Sequence, residues 1–470
     1  MLKYEERIRR LNHHPLRGGA RYVLYWARFN RRVTFHHGLL VAAELANQLD
    51  LPLLYYERLS ASAPYANDRL HTFVLEGVPE TARRLQQLGV GYVFDLVCDG
   101  SGPGDTLERL AAQAAALLTD DYPDAVAARH DARVPTHLSL PVWAVDSSCI
   151  VPMSLIGERQ YAAYSIRPKL RRWLAKYLKP LPSVRVRRRY SAPPDPRHVP
   201  VSASKIPCLV RSCVADHMVR PSLTFRGGAA EAERRLRRFL THNLRRYARF
   251  RNQPATRATS DLSPYLHFGQ LSALEAAWEA KSHAEQEGLI AEEFLEELIV
   301  RRELAFNFCR FAARVDSLEE LPAWARVTLE RHAADRRPFV YRYEQFRDAE
   351  THDELWNATQ KELLLTGKIH GYYRMYWGKK IIEWSASYQE ALETMITLHE
   401  RFALDGRDPN TYANILWCFG LHDRPWRERP VLGTLRYISR EGMQRKTDVG
   451  AYLRQIAGLE RTGRLPEPVE

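Results

Sequence analysis

The sequence predicts an α/β N-terminal domain with a Rossmann-like parallel sheet, followed by an all-α C-terminal domain. Up to about residue 150, short apolar runs alternate with amphipathic helical patterns, as expected for βαβ units. Beyond residue 226, strand signals almost vanish and the apolar residues keep a helical period. A chain of 470 residues is long enough for two or three domains with separate cores.

The predicted strands and helices alternate along the first domain, which we place at residues 1–150. Strands are predicted at 22–26, 52–56, 91–97, 117–119 and 142–145. Helices are predicted at 36–49, 68–88 and 105–116. The glycine-rich stretches of this domain lack the spacing of a dinucleotide fingerprint or a P-loop, so we interpret them as loops.

Residues 151–220 are predicted to form an interdomain linker wrapped over the surface. Prolines recur throughout this stretch, which disfavours regular structure. A helical pattern covers 161–178, and we expect it to be interrupted at Pro168. The linker also carries a run of arginines, namely Arg185, Arg187, Arg188, Arg189 and Arg197.

The helical domain is placed at residues 221–470, and its most informative part runs from 351 to 417. Thr351 with Glu354 and Ser387 with Glu390 form capping-box pairs that open two helices. A further helix is predicted between them at 372–385. No repeat of fixed length is evident in this domain, which disfavours a solenoid.

A column of large side chains lies on the middle helix of that series. Tyr373, Trp377, Ile381 and Trp384 recur at spacings of about four, so they share one helical face. Trp356 on the preceding helix could pack against them. Most such stripes are core packing, and the residues alone favour that reading. The alternative is an electron relay to a redox cofactor.

The overall charge favours a polyanionic partner. The chain has 69 basic and 56 acidic residues, a net charge of +13. Nine arginines and two glutamates lie between residues 226 and 251. A run of charge is usually a solvated face. Here the preference for arginine over lysine, together with the aromatic clusters, favours a nucleic acid.

Other features point to a cytoplasmic protein without metal. The six cysteines are scattered without metal-ligand spacing, which indicates a reducing compartment and no zinc site. No apolar run approaches the length of a membrane span, and the N-terminus has no apolar signal core. We expect a monomer that does not bind membranes.

Several long blocks appear in a fixed order in the second half of the chain. They are SDLSPYLHFGQLS, FLEELIVRREL, LWNATQ, HGYYRMYWGKKIIEW, DGRDPNTY, HDRPW and GTLRYIS. They resemble the signature of class II cyclobutane pyrimidine dimer photolyases, most strongly over residues 226–445. The resemblance implies light-driven repair of UV-damaged DNA, by electron transfer from excited, reduced FAD to a flipped-out dimer. It also implies that the N-terminal domain could hold a second, antenna chromophore, whose identity the residues do not reveal.

The resemblance implies a set of cofactor-binding residues in the helical domain. From local sequence alone, the turn at 260–264 is simply an N-cap before a helix. By resemblance, this turn and Tyr247 hold the FAD phosphates and ribose, while a later turn lines the flavin cavity. The implied set is Tyr247, Ser260, Asp261, Leu262, Ser263, Pro264, Arg374, Asp405, Arg407, Asp408 and Asn410.

A second implied set would act on the lesion. Glu297 shares an apolar helical face with Leu304 and Phe308 at offsets of seven and eleven, so it is either paired, for instance with Arg301, or kept protonated for use. The family assigns the matching glutamate to the damaged thymine carbonyls. By the same resemblance, Met375, Trp417 and Arg301 are substrate-binding residues, and Trp377, Trp356 and Trp384 supply electrons to the flavin.

His399 is a departure from the family pattern, which generally has Asn near the flavin N5. It shares a helical face with Leu392, Met395 and Phe402, so it is predicted to point inward. An inward histidine is more often a core residue than a catalyst. Beside a flavin it could instead donate a proton or hydrogen bond to N5. This departure favours the alternative function, a cryptochrome-like photosensor without repair activity.

Overall fold

A computed structural model describes residues 3–99, 105–193 and 195–464, with the backbone alone described at 125–127 and 129–130. One six-stranded sheet lies at the N-terminus. Its strands are β1 (Ile8–Arg10), β2 (Tyr22–Ala27), β3 (Leu53–Ser60), β4 (Gly91–Val97), β5 (Ala114–Asp120) and β6 (Val142–Val145). The order is β1-β6-β5-β2-β3-β4, with β1 antiparallel to β6 and every other pair parallel.

The helices between and after these strands divide into two groups. With the sheet are α1 (His37–Gln48), α2 (Asp68–Leu88), α3 (Thr106–Ala111) and α4 (Ala125–His137). The connecting segment contains α5 (Ala163–Tyr177) and α6 (Ile206–Arg211). These elements confirm a Rossmann-like parallel sheet at the N-terminus. The antiparallel strand β1 is additional, because a three-residue segment with two arginines has no apolar alternation that would predict a strand.

From α7 onward the described chain is helical, as predicted, and its strand-like pairing is limited to an isolated bridge between Arg429 and Gly433. Its helices are α7 (Ala229–Arg238), α8 (Leu244–Phe250), α9 (Ser263–His267), α10 (Ala273–Glu287), α11 (Glu292–Leu295), α12 (Arg302–Phe311), α13 (Ala323–Arg331), α14 (Tyr343–Arg347), α15 (Glu354–Thr366), α16 (Gly371–Trp384), α17 (Tyr388–Phe402), α18 (Pro409–Cys418), α19 (Arg440–Lys446) and α20 (Val449–Thr462). Two π-helical turns, Phe239–Asn243 and Glu296–Arg301, interrupt the series.

Three local predictions were wrong. The helix expected at 105–116 ends at Ala111, and Ala114–Ala116 begin β5, because a run of small apolar residues does not distinguish a buried strand from a helix. Helix α5 continues through Pro168, which lies on its exposed face, where an unpaired backbone carbonyl can be hydrated. Helix α15 is capped by Asp353, whose carboxylate accepts from the Trp356 N–H.

The other predicted cap is confirmed, since the Ser387 hydroxyl accepts from the Glu390 N–H and opens α17. Thr351, which was expected to cap α15, instead donates to the side chain of Asn357 at 2.7 Å. A free carboxylate is a stronger acceptor than a hydroxyl for helix-terminal N–H groups. This explains why the acid two residues later takes the capping position.

Buried polar contacts join the sheet to the helices. Arg69 on α2 is 2% exposed and donates to the carbonyl oxygens of Leu363 and Phe402 at 3.0 and 2.6 Å. Glu303 on α12 accepts from the Ile150 N–H at 2.6 Å. Buried charges of this kind are stable only with their partners in place. The carboxyl end of the sheet therefore has a fixed position against the helical region.

Candidate cofactor cavity and tryptophan cluster

A cavity of about 410 Å³ opens between the C-terminal half of α7, the turn before α9 and the connection from α15 to α16. Basic side chains dominate its wall. They are Arg234, Arg235, Arg238, Arg257, Lys368 and Arg464. Ser260 and Asp261 of the predicted cofactor turn line the same wall. Such a concentration of positive charge suits a ligand that carries phosphates.

Two acidic residues pair with these cations: Glu231 with Arg234 and Arg235, and Asp261 with Lys368. Of these two acids, Asp261 belongs to the predicted cofactor turn. Its backbone has a φ of 54°, and its carboxylate accepts from Lys368 Nζ at 2.9 Å. Burial alone would raise the pKa of Asp261, but Lys368, Arg235 and Arg257 lower it to about 2. The carboxylate is therefore ionised at neutral pH and holds Lys368 at the cavity wall.

Two buried donors on α16 and its N-terminus have no hydrogen-bond partner within the described chain. His370 caps α16, where its Nδ1 accepts from the Tyr372 N–H at 3.2 Å, so its Nε2 carries the proton in the neutral ring. Burial and the nearby Lys368 lower the pKa of His370 to about 3. The His370 Nε2 and the Arg374 Nε are both buried without a partner. Unpaired buried donors beside a basic cavity fit an anionic, oxygen-rich ligand such as FAD.

Asp405 connects the predicted turn before α9 with α16. Its carboxylate accepts from the Ser263 hydroxyl at 2.7 Å and from Arg374 Nη2 at 3.0 Å. Burial acts to raise the pKa of Asp405, but Arg374 and Lys368 lower it, so the carboxylate stays ionised. Three of the predicted residues therefore form one hydrogen-bonded cluster. The neighbouring Leu262 and Pro264 are buried around the first turn of α9.

His399 is buried beside this cluster, as its helical pattern predicted. Its Nδ1 is 2.9 Å from the carbonyl oxygen of Met395, so Nδ1 carries the proton. Burial and Arg374 lower the pKa of His399 to about 4, so the ring is neutral at pH 7. The remaining nitrogen, Nε2, is then an acceptor. The geometry therefore favours a ligand N–H opposite His399 Nε2. The sequence had instead predicted that His399 would act as a hydrogen-bond donor.

The three predicted relay tryptophans pack together in the core. Trp377 stacks on Trp356 with ring centroids 6.1 Å apart and planes 5° from parallel. Trp384 lies 6.4 Å from Trp356, and His399 lies 5.0 Å from Trp377. All three indoles are 3% exposed or less. The sequence placed Trp377 and Trp384 on one face, and the fold brings Trp356 between them.

Hydrogen bonds hold the inner two indoles in place. Trp356 Nε1 donates to the carbonyl oxygen of Trp377, and Trp377 Nε1 donates to the side chain of Gln360, both at 3.0 Å. Buried indole N–H groups need such partners. The stacked pair is therefore fixed in orientation, and it forms continuous ring contacts from His399 toward Trp384.

Of the predicted cofactor residues, only Ser260 and Asp261 line the cavity, and four belong neither to its wall nor to the group around Asp405. Arg407 donates to the carbonyl oxygen of Pro64, and Asp408 caps α18 while accepting from the Tyr122 hydroxyl at 2.8 Å. Asn410 donates to the Asp408 carboxylate. Tyr247 packs edge-on against Phe239 and Phe294. The turn 407–410 thus joins the sheet to the helices.

Glu297 does not lie on the buried apolar face that the sequence predicted. Of the two alternatives for this acid, the structure shows the paired one, with Arg251 rather than Arg301 as the partner. The Glu297 side chain is 44% exposed and accepts from Arg251 Nη1 at 2.8 Å. The π-helical turn Glu296–Arg301 explains this exposure. It inserts one residue into the helix and so rotates Glu297 away from the face that carries Leu304 and Phe308. Arg301, the partner considered for Glu297, instead lies 3.5 Å from Glu296.

Trp417 and Met375 are both partly exposed, on α18 and α16. Two cations lie near the Trp417 ring, with Lys379 Nζ 5.5 Å and the Arg436 guanidinium carbon 5.4 Å from its centroid. Lys379 is 1% exposed and donates to the carbonyl oxygen of Cys418. Burial lowers its pKa to about 8.

Sequence reasoning missed Lys368, His370 and Lys379. The first two directly precede α16, so their position at a helix start was a usable signal. Within the described residues, no cluster of histidine, cysteine and acidic side chains could hold a metal ion. None of the described helices has the length and hydropathy needed to cross a membrane.

Comparisons with known sequences found several similar proteins. The profile of the DNA photolyase family matches residues 23–185. The chain is 38% identical to a deoxyribodipyrimidine photo-lyase of Methanothermobacter thermautotrophicus, over 97% of this chain and 99% of that protein. It is 36% identical to the Oryza sativa enzyme of that name, over 93% and 88% of the two chains. It is 34% identical to the Potorous tridactylus enzyme, over 92% and 81%.

Solved structures share the fold at low sequence identity. A bacterial class III photolyase from Agrobacterium tumefaciens superposes with a TM-score of 0.67 at 17% identity, covering 93% of this chain and 87% of that one. A Synechocystis cryptochrome superposes with a TM-score of 0.68, also at 17% identity, covering 96% and 90%. Both similarities concern the fold alone.

Proposed function

The chain belongs to the DNA photolyase family, and from that premise we propose that it repairs cyclobutane pyrimidine dimers in DNA with light, as a class II member that uses FAD. The class II assignment is supported by the motif blocks between residues 226 and 445. In this proposal the basic cavity and the cluster around Asp405 hold the cofactor.

One observation carries the proposal: the first turns of α16 connect the cavity to the tryptophan cluster. His370 lines the cavity, Arg374 holds Asp405, and Trp377 contacts both His399 and Trp356. His370 and Trp377 are seven residues apart, roughly 10 Å along a helix. A cofactor among these residues would lie within short electron-transfer distance of the indoles.

The residues of the site have separate roles in this proposal. The cavity arginines and Lys368 neutralise phosphates, and the unpaired donors of His370 and Arg374 complete their contacts. Ionised Asp405 and neutral His399 offer acceptors to ligand N–H groups. Bound and reduced, FAD would supply the light-excited electron donor that splitting a dimer requires. Trp384, Trp356 and Trp377 would conduct electrons inward from the surface.

We assign the lesion opening to Glu297, Arg301, Met375 and Trp417. Trp417 and Met375 are accessible enough to meet a flipped base, and the nearby Lys379 and Arg436 help to hold the indole in place. Glu297 faces solvent, which suits contact with a substrate that enters from outside. Breaking its ion pair with Arg251 would free the carboxyl group for the lesion.

The proposal is tested by an absorption spectrum of the purified protein, followed by illumination with a dimer-containing oligonucleotide. We expect flavin absorbance and light-dependent loss of dimers, with a dark sample as the control. Flavin absorbance without repair would favour the cryptochrome-like photosensor, for which His399 is the motivating residue. A protein that binds no flavin would contradict both.

Three further properties stay predictions. A second chromophore could bind the N-terminal domain, and flavin-independent absorbance would reveal it. We propose a monomer, which size-exclusion chromatography with light scattering would test. A cytoplasmic location is proposed from the scattered free cysteines, and fractionation of the source cells would test it.

A further inference from the structure

Two tyrosines of the connecting segment carry exposed rings. Tyr161 is 77% exposed and Tyr164 is 73% exposed, whereas no other tyrosine or phenylalanine in the described part of the chain exceeds 43%. Helix α5 itself is anchored, since Ala163, Ile166 and Leu170 are buried in the helical core. The two rings are therefore presented on a rigid support, and core packing does not account for them.

Contacts place these rings beside the proposed lesion opening. The Tyr161 carbonyl oxygen lies 2.7 Å from Nδ1 of His422, which follows Trp417 by five residues. Arg167, one turn beyond Tyr164, donates to Glu296 at 2.6 Å, and Glu296 directly precedes Glu297. The segment 161–167 thus contacts the chain five residues beyond Trp417 and also the residue directly before Glu297.

The charge around the rings is positive. Glu296 is paired with Arg167 and Arg301, and Glu158 is paired with Lys169. Arg171 and Arg172, further along α5, are exposed and have no carboxylate within ion-pair distance in the described structure. Arginines interleaved with exposed aromatic rings are the pattern of a surface that binds single-stranded nucleic acid.

We propose that Tyr161 and Tyr164 form a stacking platform for DNA bases left unpaired when the dimer flips out, with Arg171 and Arg172 on the adjacent phosphates. This inference rests on the proposed function, because flipping two pyrimidines leaves their partner bases without pairs. The ligand of this platform is a DNA duplex with locally unpaired bases. Because every base can stack on an aromatic ring, binding should tolerate different base sequences.

The platform is tested without light, by binding a duplex that contains a two-nucleotide mismatch bubble but no dimer. We expect wild type to prefer the bubble over the matched duplex. The double variant Y161A/Y164A should lose this preference, weakening bubble binding about tenfold to a hundredfold. The salt dependence of the remaining binding should be unchanged. Y161F/Y164F should keep the preference, because phenylalanine retains the stacking face.

Control variants separate the platform from general effects. Met218→Ala removes an 81% exposed apolar side chain from the same connecting segment and should leave bubble binding unchanged. Arg171→Ala should weaken both DNAs equally and reduce the salt slope by about one.

An unchanged bubble preference in Y161A/Y164A would overturn the platform, and so would equal losses in the alanine and phenylalanine variants. Absence of light-dependent repair by wild type would instead overturn the proposed function. The two failures are therefore distinguishable.

Discussion

At the scale of single residues, the structure determines the protonation state of His399, the residue that departs from the family pattern. Its ring is buried, its Nδ1 proton is committed to Met395, and the cation of Arg374 lies nearby. Protonation would place a second positive charge in a buried cluster, so the neutral ring is favoured. The residue that the sequence marked as a possible donor is therefore an acceptor.

The lowered pKa of His399 predicts a flat pH profile for light-driven flavin reduction. A group with a pKa of about 4 is neutral throughout the range from pH 5.5 to 8. We expect the reduction rate of the holoprotein to change less than about twofold over that range. A step centred near pH 6.5, absent in His399→Asn, would show that this imidazole titrates normally and would contradict its assigned state.

Glu297 gives a second residue-scale prediction. Glu297→Ala should lower the yield of dimer repair severalfold with the flavin spectrum intact, because its carboxyl group is assigned to the lesion. Stability should change by less than about 1 kcal/mol, since the pair with Arg251 is exposed. The matched control, Arg251→Ala, breaks the same ion pair but keeps the carboxyl group. Equal repair losses in both variants would mean that only the ion pair matters.

At the scale of elements, α15 and α16 create the proposed relay by packing against each other. Each helix contributes an indole to the stacked pair, and each indole nitrogen is hydrogen-bonded within the two helices. The spacing of residues on α16 predicts its column of rings. The pairing with Trp356 depends on how the two helices cross, which no pattern within either helix specifies.

Trp377→Phe tests the relay. We expect light-driven reduction of oxidised flavin to slow at least tenfold, because phenylalanine is much harder to oxidise than tryptophan, while the ring still fills the core. Repair by chemically reduced protein should persist. Trp278→Phe on α10, a partly buried tryptophan outside the cluster, is the control. Unchanged photoreduction in Trp377→Phe would remove Trp377 from the electron path.

Helix α8 predicts where the electrostatic contact with DNA lies. Arg245 and Arg249 are exposed on this helix, and Arg251 just beyond it pairs with Glu297 at the proposed opening. Replacing both Arg245 and Arg249 with alanine should weaken DNA binding and reduce the slope of log affinity against log salt by about two.

Arg185 and Arg187 provide the matched control for that pair, because their segment runs along α1, where Asn47 bonds the backbone of both residues. Their double alanine variant should leave the salt slope nearly unchanged. If the Arg185 and Arg187 variant reduced the salt slope more than the Arg245 and Arg249 variant, DNA would instead bind the face that carries Arg185 and Arg187.

At the scale of the whole molecule, buried polar groups couple the sheet region to the helical region, and this coupling has a pH signature. His71 on α2 is 1% exposed, and burial and Arg407 lower its pKa from 6.5 to about 4. Since the folded pKa is the lower one, the unfolded chain binds more protons between pH 4 and 6.5. The contribution of His71 to stability is present above pH 6.5 and is lost as pH falls through that window.

His71→Gln should remove that dependence. At pH 5 the wild-type histidine costs about 2 kcal/mol of folding free energy relative to pH 7. On going from pH 7 to pH 5, the wild type should therefore lose about 2 kcal/mol more unfolding free energy than the variant. Denaturant unfolding at pH 7 and pH 5 measures it. If the free-energy difference between variant and wild type stayed constant with pH, His71 would have the same pKa in the folded and unfolded states.

Local pattern by itself determined the class of each half of this protein, the parallel strands and the inward faces of α16 and α17, because hydrophobic period and helix caps act over a few residues. The resemblance of the motif blocks added the family. Only the tertiary structure decided that Trp356 stacks on Trp377, that His370 lines a basic cavity with an unpaired buried Nε2, and that Glu297 faces water. These features depend on helix crossings, on a π-helical turn and on the fields of distant charges, and none of these is encoded within one short stretch of chain.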